Sequence, residues 1–281
     1  MTLVAPLAPE AARRRRLRTS SSLTRSSALG LGIALTWFSL LVLIPLALVV
    51  IQSTEGGWAT FHDTLTSPQT AAALRLTVTQ ALVVTAVNVV MGTLIAWVLV
   101  RDTFPGKRLL EVVIDIPFAL PTIVAGLVLL SLYGPQSPLG INVANTGRSV
   151  FLALLFVTLP FVVRTVQPVL MEMDRDVEEA AASLGASRLT TLRRIVLPTL
   201  APAITAGAAL SFARGISEYG SLVLLSGNLP NKTEVASVRI LTYVENGNEA
   251  AAASVAVILL VVALLAIVLL QLLSRIVARR G

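Results

Sequence analysis

Six long apolar segments, separated by polar stretches, run along the chain. Each is close to the roughly 20 residues that a helix needs to cross the hydrocarbon core of a bilayer. The pattern therefore predicts six membrane-spanning helices, at residues 29–52, 74–100, 109–132, 149–170, 201–225 and 250–274. An even number of spans places both termini on the same side of the membrane.

The composition supports this interpretation. Of the 281 residues, 55% are hydrophobic and 13% are charged, whereas about a quarter of the residues in a soluble domain are charged. We therefore expect an all-α polytopic membrane protein in contact with the lipid bilayer. A net charge of +7 would suggest a nucleic acid partner in a soluble protein, but here the distribution of the charges matters more, and we expect no nucleic acid partner.

The lysines and arginines are divided unevenly between the two sides of the predicted spans. On one side lie 17 of the 22, in residues 1–28, 101–108, 164–200 and 275–281. The other side carries Arg75, Arg148, Lys232 and Arg239. By the positive-inside rule, both termini and the 164–200 segment are predicted to be cytoplasmic.

Residues 1–28 form a polar leader with six arginines, which we interpret as a basic tail held at anionic headgroups. The apolar run that follows has 24 residues, more than the about 7–15 of a signal-peptide core. We therefore expect a retained first span. The predicted organisation is a cytoplasmic leader (1–28), a six-helix transmembrane domain (29–274) and a short basic cytoplasmic tail (275–281).

A polar, arginine-bearing interruption lies between the fourth and fifth predicted spans. Asp176 and Glu179 have the spacing of a capping box at a helix start. Gly185 is placed to end that helix in a left-handed conformation, and Ser187 is placed to cap a second helix. We expect Pro198 to end the second helix.

Arg214 and Glu218 lie within the fifth predicted span, where a charged side chain costs about 2.5–3.5 kcal/mol. They are four residues apart and are therefore expected on one face of a helix. Two interpretations remain open. The residues form a buried structural pair, or they line a translocation path in which Arg214 offers a charge to a passing anion and Glu218 sets its orientation.

The third predicted span contains Pro117 and Pro121, which remove two helical amide donors and kink or break the backbone. A membrane tolerates this only where protein or a water-filled cavity satisfies the freed carbonyls. We expect the span to face protein or a pore, and a purely structural kink is the alternative.

No catalytic or nucleotide-binding motif is evident. The 227–233 segment lacks the second glycine of a phosphate-binding loop, and there is no nucleophile elbow. The absence of cysteine excludes disulfides and thiolate metal sites, and the single histidine, His62, has no clustered ligands around it, so we expect no metal site. The chain is therefore predicted not to be an enzyme, and any uphill work needs a partner or an ion gradient.

The polar interruption resembles the EAA loop of the permease subunits of bacterial ABC importers, EAA-x3-G-x9-I-x-L-P. The matching residues are Glu179, Ala180, Ala181, Gly185, Ile195, Leu197 and Pro198. Within these importers, residues 115–126, 159–174 and 211–233 resemble the sulfate permease subunits of the CysT type, over about residues 37–272. Molybdate permease subunits are similar over the same stretches, but less so in the proline-rich third span.

This resemblance implies a type I importer (MetI-like) permease fold in a bacterial cell membrane. It implies a second, homologous permease subunit (CysW-like), two copies of an ABC ATPase (CysA-like) and an extracytoplasmic sulfate-binding protein as partners. ATP and Mg²⁺ would be used by the ATPase, and the chain itself would bind no cofactor.

The resemblance also implies roles for particular residues. Residues 176–198 would be the cytoplasmic coupling segment, seated in a cleft of the ATPase, with a bend permitted at Gly185. Our candidates for the translocation path are Pro117, Pro121, Thr122, Arg214, Glu218, Tyr219 and Ser221. A molybdate or tungstate importer is the first alternative. An ion-coupled secondary transporter is a more remote one, since it would want paired broken helices and internal symmetry, neither of which is evident in the sequence.

Overall fold

The computed structural model describes residues 25–278, with side chains from 27 to 272. Most of the predicted leader and the last three residues, including Arg279 and Arg280, lie outside this range. Within it, every regular element is helical. The elements in order are α1 (Arg25–Phe38), a π-helical turn (Ser39–Leu43), α2 (Ile44–Glu55), α3 (Gly57–Thr66), α4 (Pro68–Arg101), α5 (Lys107–Ala119), α6 (Thr122–Tyr133), α7 (Gly147–Glu172), α8 (Arg175–Ser183), α9 (Arg188–Thr191), a second π turn (Leu192–Val196), α10 (Leu197–Ile216), α11 (Gly220–Leu225), α12 (Ala236–Glu245) and α13 (Glu249–Ala278).

Among the described residues, those up to Ala47 form one compact unit and those from Leu48 form another. In the first unit, α1 continues through the π turn into α2, and side chains such as Leu29 and Ile33 are exposed. The apolar run Ser27–Glu55 has 29 residues, enough to cross a bilayer. The first predicted span is therefore confirmed, although its helix begins inside the predicted leader.

Helices α4, α7 and α10 form the core of the second unit. Val162 of α7 is fully buried in a cluster with Leu99 of α4 and Leu200 of α10. A β-carbon on Gly92 of α4 would lie 2.8 Å from the Val162 Cβ. Close approach of these helices therefore depends on a glycine, as is common in membrane helix packing.

A polar contact joins the same three helices. Asn88 of α4 is fully buried, and its Nδ2 donates to Thr158 Oγ1 of α7 at 2.8 Å and to Ser211 Oγ of α10 at 3.3 Å. Its Oδ1 is buried without a hydrogen-bond partner. We call these three residues the polar hub.

The third predicted span consists of two helices rather than one. Helices α5 and α6 are bent by 118° at Leu120 and Pro121. Pro117 lies inside α5 without ending it. The break occurs at Pro121 because a residue that precedes proline is disfavoured in the helical region, and Leu120 is extended (ψ 136°). The predicted break is therefore confirmed at Pro121, and the continuous span 109–132 is wrong.

The fifth predicted span, 201–225, is wrong at its C-terminal end. One helical run extends from Arg188 to Ile216, and the short helix α11 follows after a break at residues 217–219. Glu218 therefore lies beyond the end of α10, not on a helix face shared with Arg214. The second, fourth and sixth predicted spans are confirmed within α4, α7 and α13.

Pro198 does not end the second helix of the polar interruption, contrary to the prediction. It lies in the first turn of α10, directly after a π turn in which Leu197 donates its N–H to the Leu192 carbonyl. The first π turn has the same relation to Pro45, since Ile44 donates to the Ser39 carbonyl. A π turn contains one residue more than an α-helical turn. The extra residue makes room for the proline ring, which would otherwise clash with a carbonyl of the preceding turn.

Candidate functional site

The two helix breaks lie against each other, at the contact between α6 and α11. A β-carbon on Gly220 would lie 2.2 Å from Thr122 Oγ1 and 2.7 Å from the Ile123 nitrogen. One on Gly126 would lie 2.8 Å from the Ser221 carbonyl oxygen. Backbone therefore packs on backbone. We call residues 120–122 and 217–221 the break cluster.

This pairing was not predicted. Paired broken helices are not evident in the sequence, and their absence counted against an ion-coupled transporter. The structure contains such a pair, so this feature does not distinguish the two classes. The glycines that permit the contact, Gly126 and Gly220, could have been suspected, because small residues mark close helix contacts in membranes.

Arg214 and Glu218 form an ion pair at the break cluster. Arg214 Nη2 lies 2.8 Å from Glu218 Oε2, and the two side chains are 31% and 0% exposed. The contact lacks hydrogen-bond alignment, since Oε2 has no hydrogen-bond partner. The predicted pairing is therefore present, although it forms around the end of α10 and not along a helix.

The other oxygen of Glu218 is fully occupied. Oε1 accepts from the Ser221 backbone N–H and from Ser221 Oγ, both at 2.9 Å. The Glu218 carbonyl accepts from Ser237 Oγ at 2.6 Å. These contacts fix the carboxylate, whereas the side chain of Arg214 is partly exposed.

The remaining candidates for the path differ in accessibility. Tyr219 is 36% exposed, whereas Ser221 is fully buried and its hydroxyl is engaged by Glu218. Thr122 is half-buried beneath Gly220. Ser221 is thus placed to support Glu218 and not to touch a solute directly.

A second charged pair within the helices was not predicted. Arg164 of α7 contacts Asp115 of α5 through two bonds, Nε to Oδ1 at 2.7 Å and Nη2 to Oδ2 at 2.5 Å. Arg164 Nη1 also donates to Gln167 Oε1 at 2.6 Å. A sequence signal was available for Asp115, a charge within the third predicted span, whereas Arg164 belongs to the segment predicted to be cytoplasmic.

The polar interruption forms two capped helices, as predicted, but the first cap differs. Asp174, not an Asp176–Glu179 box, is the N-cap of α8, and it accepts from the Asp176 N–H at 3.0 Å. Gly185 has φ +86°. Around it, Gly185 N–H donates to the Ala182 carbonyl and Ala186 N–H donates to the Ala181 carbonyl, which is the Schellman pattern.

Ser187 caps α9, as predicted, by accepting from the Thr190 N–H at 3.2 Å. Helix α8 has no buried residue. Glu179 and Ala180 are exposed, and Leu184, at the end of α8, is 90% exposed. Of the remaining motif residues, Ala181, Ile195 and Pro198 are half-buried, and Leu197 is exposed. The segment therefore presents an unpaired surface.

A polar cluster joins α12 to the start of α4. Tyr243 Oη lies 2.9 Å from Thr70 Oγ1, and Arg239 Nη2 donates to the same Tyr243 Oη at 3.1 Å. Burial raises the pKa of Tyr243, but the hydrogen bonds with Thr70 and Arg239, together with the Arg239 charge, lower it to a net value below 10.0.

No group of three or more metal-ligating side chains occurs among the described residues. The candidate functional features are the break cluster, the Arg214–Glu218 pair and the exposed α8 surface.

Comparison with known families and proteins gives concordant results. A family model described as binding-protein-dependent transport system inner membrane component matches residues 88–280. The sulfate transport system permease protein CysT of Salmonella typhimurium is 43% identical over 234 residues, which cover 81% of this chain and 84% of that protein. The probable sulfate transport system permease protein of Nephroselmis olivacea is 45% identical over 231 residues, covering 79% of this chain and 81% of that protein.

Two solved structures share the fold. A chain of a bacterial alginate ABC transporter in complex with an alginate-bound periplasmic protein has a TM-score of 0.72 at 16% identity, covering 89% of this chain and 94% of that chain. A chain of the inward-facing MetNI methionine ABC transporter has a TM-score of 0.55 at 18% identity, covering 73% and 96%. The predicted type I importer fold is confirmed.

Proposed function

The chain belongs to the family of inner membrane components of binding-protein-dependent transport systems, and from this premise we propose that it is the permease subunit of an ATP-driven importer for sulfate or thiosulfate. The observation that supports sulfate as the substrate is the similarity to permeases named for sulfate transport, at 43% identity over most of both chains. Nothing in the chain favours molybdate over sulfate.

The break cluster supports a path for an anion. Arg214, at the end of α10, pairs with Glu218 of this cluster, so its charge is offset by a fully buried carboxylate. An entering dianion competes with Glu218 for the guanidinium and is released when Glu218 takes it back. A selective but weak site of this kind suits transport, because a solute must leave as well as bind.

The exposed surface of α8 supports coupling to a separate motor. We infer that Glu179, Ala180 and Ala181 dock on an ABC ATPase, which hydrolyses ATP with Mg²⁺. Leu184 is a large apolar side chain that is 90% exposed, and it adds an apolar contact for the same partner. The partners are two copies of a CysA-like ATPase, a CysW-like second permease and an extracytoplasmic sulfate-binding protein.

We propose that both termini and α8 are cytoplasmic, because positive charge concentrates on that side. The chain contains no cysteine, so a single Leu184→Cys variant, produced without the ATPase subunits that would cover it, reports topology directly. A membrane-impermeant thiol reagent should label it in inside-out vesicles and leave it unlabelled in intact cells. Labelling of intact cells would reverse the assignment.

Anion uptake tests the substrate. In a strain that lacks the gene, uptake of labelled sulfate should be lost and should return with the intact gene. Unlabelled thiosulfate should compete with sulfate, and molybdate should compete poorly. If the strain retained sulfate uptake and lost molybdate uptake, the molybdate importer would replace our proposal.

A further inference from the structure

Few packing contacts hold helix α8 to the membrane helices. None of its residues is buried, and its apolar side chain Val177 is half exposed. A cleft of about 360 Å³, lined by Trp97, Glu178, Ala182 and Arg188 among others, separates it from the end of α4. Apolar packing therefore does not fix the orientation of α8.

One ion pair crosses this cleft. Arg101, the last residue of α4, donates through Nη2 to Glu178 Oε1 of α8. Among the described residues, it is the one hydrogen bond or ion pair that the structure shows between a side chain of α8 and another membrane helix. The pair is sheltered, with the two side chains 11% and 23% exposed, so water and salt screen it less than they screen a surface pair.

The side chain of Arg101 is itself held in place. Its guanidinium lies 5.3 Å from the ring centre of Trp97, and Nη2 lies 3.6 Å from the Met173 sulfur. Its Nε is buried without a hydrogen-bond partner. Stacking on the ring favours a fixed guanidinium position.

Helix α4 is long enough to transmit a movement of Arg101 to distant parts of the second unit. It has 34 residues without an internal proline, a length of about 50 Å. It packs on α7 and α10 through the polar hub, and its start contacts α12 through Thr70 and Tyr243. A displacement of Arg101 therefore reaches both the core and the opposite end of α4.

We propose that the Arg101–Glu178 pair is a strut that fixes the orientation of α8 and transmits its movement to α4 during each transport cycle. This inference rests on the proposed coupling function. Arg101 and Glu178 act as positioning residues, since neither is assigned contact with the transported anion. The strut is distinct from the motif residues, because Glu178 precedes Glu179 and points back to the membrane helices.

The first experiment measures coupling in the complete importer, reconstituted in proteoliposomes with its ATPase and binding protein. Glu178→Gln and Arg101→Gln should retain the ATPase subunits but lower anion uptake per ATP hydrolysed by about fivefold or more, the lower end of usual coupling effects. Glu172→Gln, an exposed charge at the end of α7, is the matched control and should behave as the wild type. The exchange Arg101→Glu with Glu178→Arg should restore most of the coupling ratio.

Unchanged uptake per ATP in both single variants, or failure of the exchange to improve on them in an assembled complex, would overturn the proposal. A wild-type importer without anion uptake would instead overturn the proposed function, so the two failures are distinguishable.

A second experiment does not depend on the variants having normal coupling. The chain contains no cysteine, so the two cysteines of an Arg101→Cys, Glu178→Cys variant can be joined by a thiol-specific cross-linker. The cross-linker should be about as long as the paired arginine and glutamate side chains that it replaces. A strut predicts that the cross-linked pair forms with and without ATP, and that cross-linking restores uptake relative to the untreated cysteine variant. Loss of uptake on cross-linking would show that α8 and α4 must separate, which contradicts the strut.

Discussion

Gly220 lies against Thr122 so closely that a β-carbon on the glycine would come within 2.2 Å of the Thr122 hydroxyl oxygen. This contact holds the two helix breaks together, because the Ile123 nitrogen lies only 2.7 Å from the same position. Backbone atoms cannot yield as a flexible side chain does, so any larger residue must push α6 and α11 apart.

Gly220→Ala should therefore destabilise the protein by about 1–3 kcal/mol, the usual cost of an overpacked contact, and should lower uptake at a given protein level. The measurement is chemical unfolding in detergent micelles. Gly215→Ala is a matched control, since its β-carbon would meet Ala81 Cβ at an ordinary 3.5 Å. Equal stability of the two variants would contradict the close packing of the breaks.

The apolar pattern was sufficient to predict the spans, but not where they break. A hydropathy window averages over about 20 residues, and the interruptions at Leu120–Pro121 and at residues 217–219 are too short to register. Neither a proline nor a left-handed glycine ends α10. Its C-cap residue is Ser217, which has φ −86°. Tertiary contacts therefore place that break, and no local pattern reports it.

Local chemistry was a better guide in the polar interruption. Gly185 and Ser187 have the predicted cap roles because a left-handed residue and a side-chain acceptor are local requirements. The prediction for Pro198 was wrong because proline is compatible with the first turn of a helix as well as with the end of one. The Arg101–Glu178 pair was not predictable, since its residues are separated by 77 positions.

Glu218 tests whether the ion pair takes part in transport. Glu218→Gln retains an acceptor for Ser221 but removes the charge that offsets Arg214. An anion should then be held more tightly and released more slowly, so that both KM and the maximal uptake rate fall. We expect the rate to fall about tenfold, equivalent to about 1.4 kcal/mol on the barrier.

Initial uptake rates over a range of sulfate concentrations measure this effect. Glu245→Gln, an exposed charge at the end of α12, is the control. A purely structural pair would give a lower rate with an unchanged KM, and full transport by the variant would exclude a role of Glu218 in the path.

The polar hub should contribute modestly to stability. Asn88→Ala removes hydrogen bonds to Thr158 and Ser211, and such bonds between membrane helices contribute about 0.6 kcal/mol each. It also leaves a cavity. We expect a loss of about 1–2 kcal/mol in the free energy of unfolding, measured by denaturant titration in micelles. Thr79→Ala is the control, because that exposed hydroxyl bonds only to its own helix.

Tyr243 should ionise at a lower pH in the folded protein than in the unfolded chain. Its lowered pKa contributes stability that is present above the unfolded value of 10.0 and is lost as the pH falls through the folded pKa. The ultraviolet difference titration between wild type and Tyr243→Phe should show this step below pH 10.0. Arg239→Gln removes a cation that lowers the pKa, so it should move the step to higher pH. A step that stays in place would contradict the role of Arg239.

Gly185 provides the sharpest test of coupling, because its surroundings are open. Nothing lies within 4 Å of the position that its β-carbon would occupy, and its φ is +86°. A side chain there meets no neighbouring atom, so its cost is backbone energy, which is about 1–2 kcal/mol for an L-residue in the left-handed region and higher for a β-branched one. Gly185→Val should therefore leave the protein inserted in the membrane while it tilts α8 and weakens ATPase docking.

Gly106 supplies the matched control. It also has φ +86° and open surroundings, but it precedes α5 and not the end of α8. Gly106→Val carries the same backbone cost, so both variants should lose similar stability. Only Gly185→Val should lose co-purification of the ATPase and stimulated ATP hydrolysis. Equal losses in both variants would attribute the effect to stability alone, and normal transport by Gly185→Val would remove α8 as the docking element.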